Sequence, residues 1–319
     1  MGKEILDYLG EGSWVSGEEM ASRLGISRAA IWKQIKNLRA KGFEIESSTK
    51  RGYRLVSKPD LLDPDLLCSG LETRHLGREI YCHSEVSSTN EYARSIATRC
   101  GDGTVVLAET QTAGRGRLSR PWSSPQGGIW MSLILKPEIP LAQAYRINMA
   151  VSVALARAVF GLYSLKADIK WPNDLLINER KLCGILMEIS AEVDRLDFAL
   201  IGIGLNANVD VSSFPEDWRV TSLSKELGHS VSRTELVQRI LQEIEETYNK
   251  MGSEEIYEEW RDRSATLGRY VRITSASGDL EGVVVALLRD GALCLKTDRG
   301  TKRILAGDCI HLRALTKGV

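Results

Sequence analysis

Histidine and cysteine are sparse in this chain of 319 residues, at four and six copies, and neither is arranged for metal or redox chemistry. The histidines are scattered without metal-ligand spacing. The cysteines (Cys68, Cys82, Cys100, Cys183, Cys294, Cys309) form no C-x-x-C pair and no disulfide framework, so reduced thiols are expected. No Ser-His-Asp or Cys-His signature announces a covalent nucleophile. The first residues, MGKEILDYL, lack the apolar core of a secretory signal, because Glu4 and Asp7 interrupt it. The longest apolar run, near 147–165, contains Arg157 and reads as too short to span a bilayer. These absences predict a soluble cytoplasmic protein with no membrane partner.

Net charge is absent too, since Lys+Arg and Asp+Glu balance at 42 each, but the balance is uneven. Residues 1–58 hold 11 basic and 7 acidic side chains, a net of +4, which leaves −4 on the remainder. A basic first segment on an otherwise acidic chain points to a polyanion partner for that segment alone. The length predicts two or three domains, and 43% hydrophobic residues suffice for real cores.

The basic segment has helix-turn-helix spacing. Ser16 with Glu19 is a capping box, and Val15 with Met20 supplies its hydrophobic staple. Gly25-Ile26 makes a tight turn, Ser27 caps a second helix, and Gly42 ends it. Ile31, Ile35 and Leu38 share a core face, which leaves Arg28, Lys33 and Lys36 near the exposed side, while Trp32 fits either side. FEIES then alternates as a strand, 49–52 turns, and YRLV returns, making a wing with Lys50, Arg51 and Arg54 free for phosphates. A winged helix can also hold only another protein. The basic residues on helix and wing favour DNA, with Ser27, Arg28, Lys33, Lys36, Lys50, Arg51 and Arg54 as its contacts. Ser57-Lys58-Pro59-Asp60 reads as a linker, and LLDPDLLCSGL as a short connecting helix.

The most informative stretch is QTAGRGRLSRPW at 111–122. Arg115, Arg117 and Arg120 sit among small residues without helix or strand periodicity, and Trp122 follows. Gly114 and Gly116 let the backbone wrap a ligand closely. Guanidiniums match phosphate and carboxylate, and an indole can cover an aromatic base, so the segment reads as an anion clamp beside a stacking platform. It equally fits an Arg/Gly-rich surface loop, and Trp122 a core position. TVVLAETQ leads into it as a strand that ends on Gln111. Ser88 with Glu91 makes a second capping box, opening a helix that ends near Cys100-Gly101, with Ser88, Thr89 and Asn90 at its N-terminus.

IWMSLILKP at 129–137 is a buried strand, and a long apolar helix covers about 141–160. KWPND is extended and then turns, since Pro172 pushes Trp171 out of the helical region. LLIN and KLCGILMEI form a hairpin with its turn at Glu179-Arg180. Strand alternation puts Lys181, Cys183, Ile185 and Met187 on one face. An exposed hairpin lysine is the bland reading of Lys181. GIGLNAN at 202–208 is a glycine-alternating strand of the sort a ligand approaches closely, and it is not a dinucleotide fingerprint. Val231 to Leu236 repeats the cap and staple before a helix to about Met251, and a second helix follows at 253–263. From Tyr270, short alternating strands with glycine turns suggest a small closed barrel.

Taken in order, SSTNEYA (87–93), KWPNDLL (170–176), RKLCGILMEI (180–189) and IGIGLNANV (201–209), with the arginine loop, resemble the biotin–protein ligases. The first sixty residues narrow this to the bifunctional bacterial type that also represses biotin operons. The resemblance covers nearly the whole chain. It implies an α+β fold with a winged helix-turn-helix at 1–58, a mixed α/β catalytic domain at 59–266, and an SH3-like β-barrel at 267–319.

The implied activity is ATP- and Mg²⁺-dependent: biotin becomes biotinyl-5′-AMP and is passed to a lysine of a biotin carboxyl-carrier protein. Operator DNA and a homodimer of adenylate-bound chains are the other partners. The resemblance assigns biotin to Ser88, Thr89, Asn90, Gln111, Gly114, Arg115, Gly116, Arg117 and Lys181, with Arg115, Arg117 and Lys181 catalytic. It assigns the nucleotide to Arg117, Arg120, Trp122, Lys170, Asn173 and Asn206, with Asp174 a candidate for the metal and Arg313 an accessory. No resident metal site is implied. One departure stands out: the family loop reads GRGRxGRxW, and here Ser119 replaces its third glycine. If that position needs a positive φ, Ser119 strains the loop. Two other readings remain, a biotin-sensing repressor with an inactive ligase domain and a lipoate-type ligase.

Overall fold

The computed structural model describes residues 2–9, 12–40, 42–57, 59–275 and 278–312. Lys58 of the expected linker and Arg313 lie outside the described residues. The chain divides into two compact units, Met1–Glu72 with Ser232–Gln238, and Thr73–Val231 with Arg239–Val319.

The first unit opens with α1 (Gly2–Leu9), α2 (Gly17–Leu24) and α3 (Arg28–Ala40). Ser16 accepts from the Glu18 amide as expected of a cap, and Gly25 closes α2 with φ 63°. Ser27 Oγ accepts from the Ala30 amide at 3.2 Å and starts α3. The sequence reading did not anticipate α1, yet Ile5, Leu6 and Leu9 join Met20, Ile31, Ile35 and Leu38 in the core. The antiparallel hairpin β1 (Glu44–Ser48) and β2 (Gly52–Ser57) follows. Tyr53 and Val15 exchange both backbone bonds at 2.9 Å, adding one more rung. Gly52 has φ 92°, and a Cβ there would lie 2.1 Å from the Val15 carbonyl, so only glycine allows this rung.

Next comes α4 (Pro64–Ser69), capped by Asp63. Asp60 meets Arg233 at the start of the later helix α8 (Arg233–Asn249). Arg233 is 1% exposed, its Nε donates to Asp60 Oδ2 at 2.8 Å and its guanidinium to the Asp60 carbonyl at 2.6 Å.

The second unit is built on a seven-stranded sheet. Its strands are β3 (Ile80–Val86), β4 (Thr104–Gln111), β5 (Ile129–Leu135), β6 (Asp168–Lys170), β7 (Asp174–Ile177), β8 (Arg180–Glu192) and β9 (Arg195–Leu205). The order is β3-β4-β5-β9-β8-β7-β6. Only β3 and β4 run parallel, because α5 (Thr89–Ile96) is the crossover between them.

The apolar helix α6 (Tyr145–Tyr163) continues a short 3₁₀ turn, and the 23 residues of Leu141–Tyr163 are long and apolar enough to cross a bilayer, contrary to the sequence reading. It is a core helix here: Met149, Ala150 and Val153 pack with Ile256 and Trp260 of α9 (Glu254–Asp262), and Arg157 donates to Glu259 at 2.9 Å. A short α7 (Leu223–Leu227) lies between β9 and α8.

Five antiparallel strands, β10 (Tyr270–Ser275), β11 (Gly278–Leu287), β12 (Leu293–Thr297), β13 (Gly300–Ile304) and β14 (Asp308–His311), form a separate sheet in the order β13-β12-β11-β10-β14. Its inner face joins the core of α6 and α9 through Val271, Ile273, Val284 and Leu295. Trp171 ties the sheets together: its amide donates to Thr266 Oγ1 at 3.0 Å and its indole to the Gly291 carbonyl at 2.9 Å.

At the end of β14, His311 contacts Thr266 Oγ1 at 3.0 Å. Burial, aided by Lys170, Arg269 and Arg219 and opposed by Glu179, depresses its pKa to about 4. The unfolded chain therefore binds the extra proton first. Stability is expected to be full above about pH 6.5, the ordinary histidine value, and to fall as pH drops towards 4. The midpoint of thermal unfolding should follow that slope, and His311→Gln should flatten it.

Candidate functional site

One cavity of about 480 Å³ gathers most of the chemistry-bearing residues. It is lined by the N-terminus of α5 (Ser88, Thr89, Asn90), the end of β4 (Gln111), the arginine loop, the β7–β8 hairpin and β9. Of the expected ligand residues, Ser88, Thr89, Asn90, Gln111, Arg115, Gly116, Arg117, Arg120, Trp122, Asn173, Lys181 and Asn206 all line it, and Gly114 and Lys170 do not. Gly114 serves the loop instead, because a Cβ there would lie 2.6 Å from the Trp122 carbonyl. The charge of Lys170 acts on Cys309 and His311 of β14. Asn206 donates to the Thr221 carbonyl at 3.0 Å, a bond that also fixes the chain after β9.

The polar end is a connected network. The amide and the hydroxyl of Thr89 donate to Gln111 Oε1 at 2.8 and 3.1 Å, and Gln111 Nε2 donates to Ser124 Oγ at 2.7 Å. Ser132 Oγ, fully buried on β5, donates to Asn90 Oδ1 at 2.5 Å, and Asn90 Nδ2 donates to Glu188 Oε2 at 2.8 Å. The expected capping box fails in detail. Ser88 is the N-cap of α5 but makes no cap bond, and Glu91 accepts from Ser87 at 2.8 Å and pairs with Arg115 at 3.1 Å. The Glu91 carboxylate is drawn to those partners and away from the helix end. The helix also ends earlier than expected, at Ile96.

The floor is glycine. Gly184 and Gly204 pair across β8 and β9, and the Trp122 indole lies on them: a Cβ at Gly204 would be 2.6 Å from Trp122 Nε1. A Cβ at Gly202 would sit 2.7 Å from Asn90 Oδ1. Trp122 Nε1 is buried and finds no acceptor among the described residues.

The hairpin corrects the alternation expected for Lys181. The turn is Asn178-Glu179, both at positive φ, one residue earlier than expected. A register shift then pairs Leu176 with Lys181 but Leu175 with Cys183. The extra residue, Leu182, reverses the phase, as a bulge does. Lys181 thus leaves the buried face of Cys183 and joins the face of Gly184, whose Cβ position is 3.3 Å from Lys181 Cε. Its Nζ reaches Asp174 at 2.7 Å and lies 4.9 Å from the Trp122 ring. Its backbone is held on both sides, by the Arg219 carbonyl at 2.7 Å and the Thr221 amide at 2.9 Å.

The arginine loop folds back on itself. Gly116 donates to the Arg120 carbonyl at 2.8 Å and Trp122 to the Gly114 carbonyl at 2.9 Å, a pairing that periodicity could not reveal. Leu118 and Ser119 form the tip at φ 54° and 57°, so Ser119 does occupy the left-handed region. Arg117 donates to the Gly307 carbonyl at 2.9 Å, and Arg120 pairs with Asp308 at 2.5 Å, both just before or in β14. Burial lowers the pKa of Arg117, and Asp308 and Asp174 oppose that shift.

Phe214 and Trp218, with rings 5.8 Å apart, and Asp308 also line the cavity and were missed. Two aromatics in the polar segment after β9 were the available signal; nothing in the sequence marked Asp308 or Glu188.

Expected DNA contacts lie on the first unit. Arg28, Lys33, Lys36, Lys50 and Arg51 are exposed, whereas Arg54 is half-buried and held by Glu46 at 2.6 Å. Arg51 stacks on Trp14 at 4.3 Å.

Polar donors and converging cations line one cavity, and residues 84–206, which supply most of that lining, match the biotin/lipoate A/B protein ligase family. Residues 3–54 match the HTH domain family, and residues 266–312 match the biotin protein ligase C terminal domain. The chain is 36% identical to the bifunctional ligase/repressor BirA of Bacillus subtilis, over 96% of this chain and 97% of that one. It is 28% identical to the protein of that name from Escherichia coli, over 98% of each. Among solved structures, the biotin protein ligase of Aquifex aeolicus in complex with biotin and ATP superposes with a TM-score of 0.65 at 28% identity. That match covers 74% of this chain and all of the other. The chain belongs to the bifunctional ligase/repressor BirA family.

Proposed function

We propose that the biotin carboxylate attacks the α-phosphorus of ATP in this cavity, giving biotinyl-5′-AMP and pyrophosphate. A neutral lysine of a biotin carboxyl-carrier protein then attacks the acyl carbon and AMP leaves. The observation that carries this is the convergence of Arg115, Arg117, Arg120 and Lys181 on the cavity that also holds Ser88, Thr89, Asn90 and Gln111. Two anions must meet for the first step, so fixed positive charge at the phosphate is its central need.

Thr89, Asn90 and Gln111 present both donors and acceptors to the ureido ring, with Ser88 beside them. Trp122 lies on the glycine floor and gives the same cavity an aromatic wall. Lys181, Arg115 and Arg117 take the carboxylate and acyl-phosphate, and Arg120, Asn173 and Asn206 the nucleotide. Lys170 stays a flanking charge.

Mg²⁺ enters with ATP in this reading. Asp174 and Asp308 line the cavity, and an ion carried on phosphates needs only one or two carboxylates. It would supply counter-charge there.

The finer architecture belongs to the same proposal: a winged helix-turn-helix at 1–58, a catalytic domain at 59–266 and an SH3-like barrel at 267–319. Adenylate-bound chains pair across two operator half-sites, which couples biotin demand to transcription in the cytoplasm.

Biotin-dependent exchange of pyrophosphate into ATP tests the reading, with lipoate as competitor. Exchange with biotin alone supports it; exchange driven by lipoate, or none with either acid, refutes it. Ser119 gives a quantitative check. A non-glycine residue in the left-handed region costs roughly 1 kcal/mol, so Ser119→Gly should slow release of biotinyl-5′-AMP by about fivefold. Unchanged release would show that the tip conformation is indifferent to this residue.

A further inference from the structure

Helix α3 sinks Ile31, Ile35 and Leu38 into the core and turns Trp32 outward, 58% exposed. One residue is about 100° of helix, so Trp32 flanks the core stripe. It shares the outward side with Ala29, Lys33 and Lys36, all exposed. Lys36 Nζ lies 5.5 Å from the indole centroid, one turn further on. An indole left in water forgoes more apolar burial than most side chains would, which asks for a partner. Its neighbours say which kind. They are cations in a segment of net charge +4, complementary to a polyanion and ill-suited to a dry protein interface. In a helix-turn-helix the second helix faces the major groove, and the apolar group displayed on that groove's base edges is the C5-methyl of thymine.

We propose that Trp32 is a specificity-determining contact that packs on a thymine methyl in the major groove of duplex DNA, while Lys33 and Lys36 hold the flanking phosphates. The proposal rests on the DNA-binding reading above. It divides the labour on one helix: the lysines give sequence-independent, salt-sensitive affinity, and the indole gives base discrimination without charge.

The full-length chain, with biotin and ATP present, is used to select duplexes from a randomised pool. The best duplex is then remade with dU for each dT in turn, which removes one methyl at a time. At one position the wild type should bind about fourfold more weakly, the factor for one buried methyl-sized group. Trp32→Ala should bind the parent duplex roughly tenfold more weakly, show no dU effect at that position, and keep the wild-type slope of affinity against salt. Lys33→Ala should lower that slope by about one. Urea unfolding of Trp32→Ala at the wild-type midpoint, followed in the first unit, confirms folding.

Equal affinity of Trp32→Ala for the parent duplex, or a surviving dU effect, overturns the proposal and leaves DNA binding intact. Loss of self-association in place of base discrimination also overturns it, by making a second copy the occupant. If the wild type enriches no sequence, the DNA reading itself falls, and this one with it.

Discussion

Lys181→Ala should lower biotin-dependent pyrophosphate exchange by roughly 10²- to 10³-fold, the usual loss when one fixed donor to developing charge is removed. Among the described residues, no other lysine lines the cavity. Lys181 is fixed at both backbone groups by Arg219 and Thr221, its ammonium sits 2.7 Å from Asp174 and 4.9 Å from the Trp122 ring, and Lys170 does not line the cavity. Lys181→Arg should recover little, because a planar fork does not match the single ammonium position that Asp174 and the Trp122 ring define. Arg117→Ala should give a loss of similar size, since its guanidinium is half-buried and held by the Gly307 carbonyl. The two together should cost less than the product of the singles if they act on one phosphate. Transfer to the carrier protein should fail in parallel. A double variant working at the wild-type rate would mean that the cations have been assigned to the wrong chemistry.

The second large effect is on stability. Arg233→Ala should destabilise the first unit by about 3 kcal/mol, the lower end for breaking a buried ion pair. Arg233 is 1% exposed and makes two side-chain bonds to Asp60. The Asp60 side chain is 38% exposed and can re-hydrate, which is why the loss stays at the lower end. Urea unfolding followed in the first unit should show the shift. Asp60→Asn together with Arg233→Met should recover part of it, since no charge is then stranded. A loss under 1 kcal/mol would show that water already reaches the pair.

Most elements were legible because their signals are local. Ser16 and Ser27 caps, the continuous apolar runs of β4 and β5, and the buried run of α6 are each written in a few neighbouring residues. α1 was not, because Ile5, Leu6 and Leu9 are too few to display a helical period, and only the core of the first unit gives them a common face. At the site, residue types were readable and directions were not. Alternation puts Lys181 on the Cys183 face, and the bulge that reverses it leaves no mark in the sequence. Local spacing pairs Glu91 with Ser88, whereas Arg115, distant in sequence, claims it. Glu188 and Asp308 became visible only when the sheets brought them to Asn90 and Arg120.

The cations of the cavity are not waiting bare. Arg115 leans on Glu91, Arg120 on Asp308 and Lys181 on Asp174. An arriving triphosphate therefore trades places with resident carboxylates and does not simply fall into a positive well. Such an exchange sets the bonds the guest gains against bonds already made, so the pocket rewards the geometry of its guest more than the guest's total charge. Sulfate or free phosphate, equally anionic but without the vitamin and the base, would gain little from displacing partners that already fit.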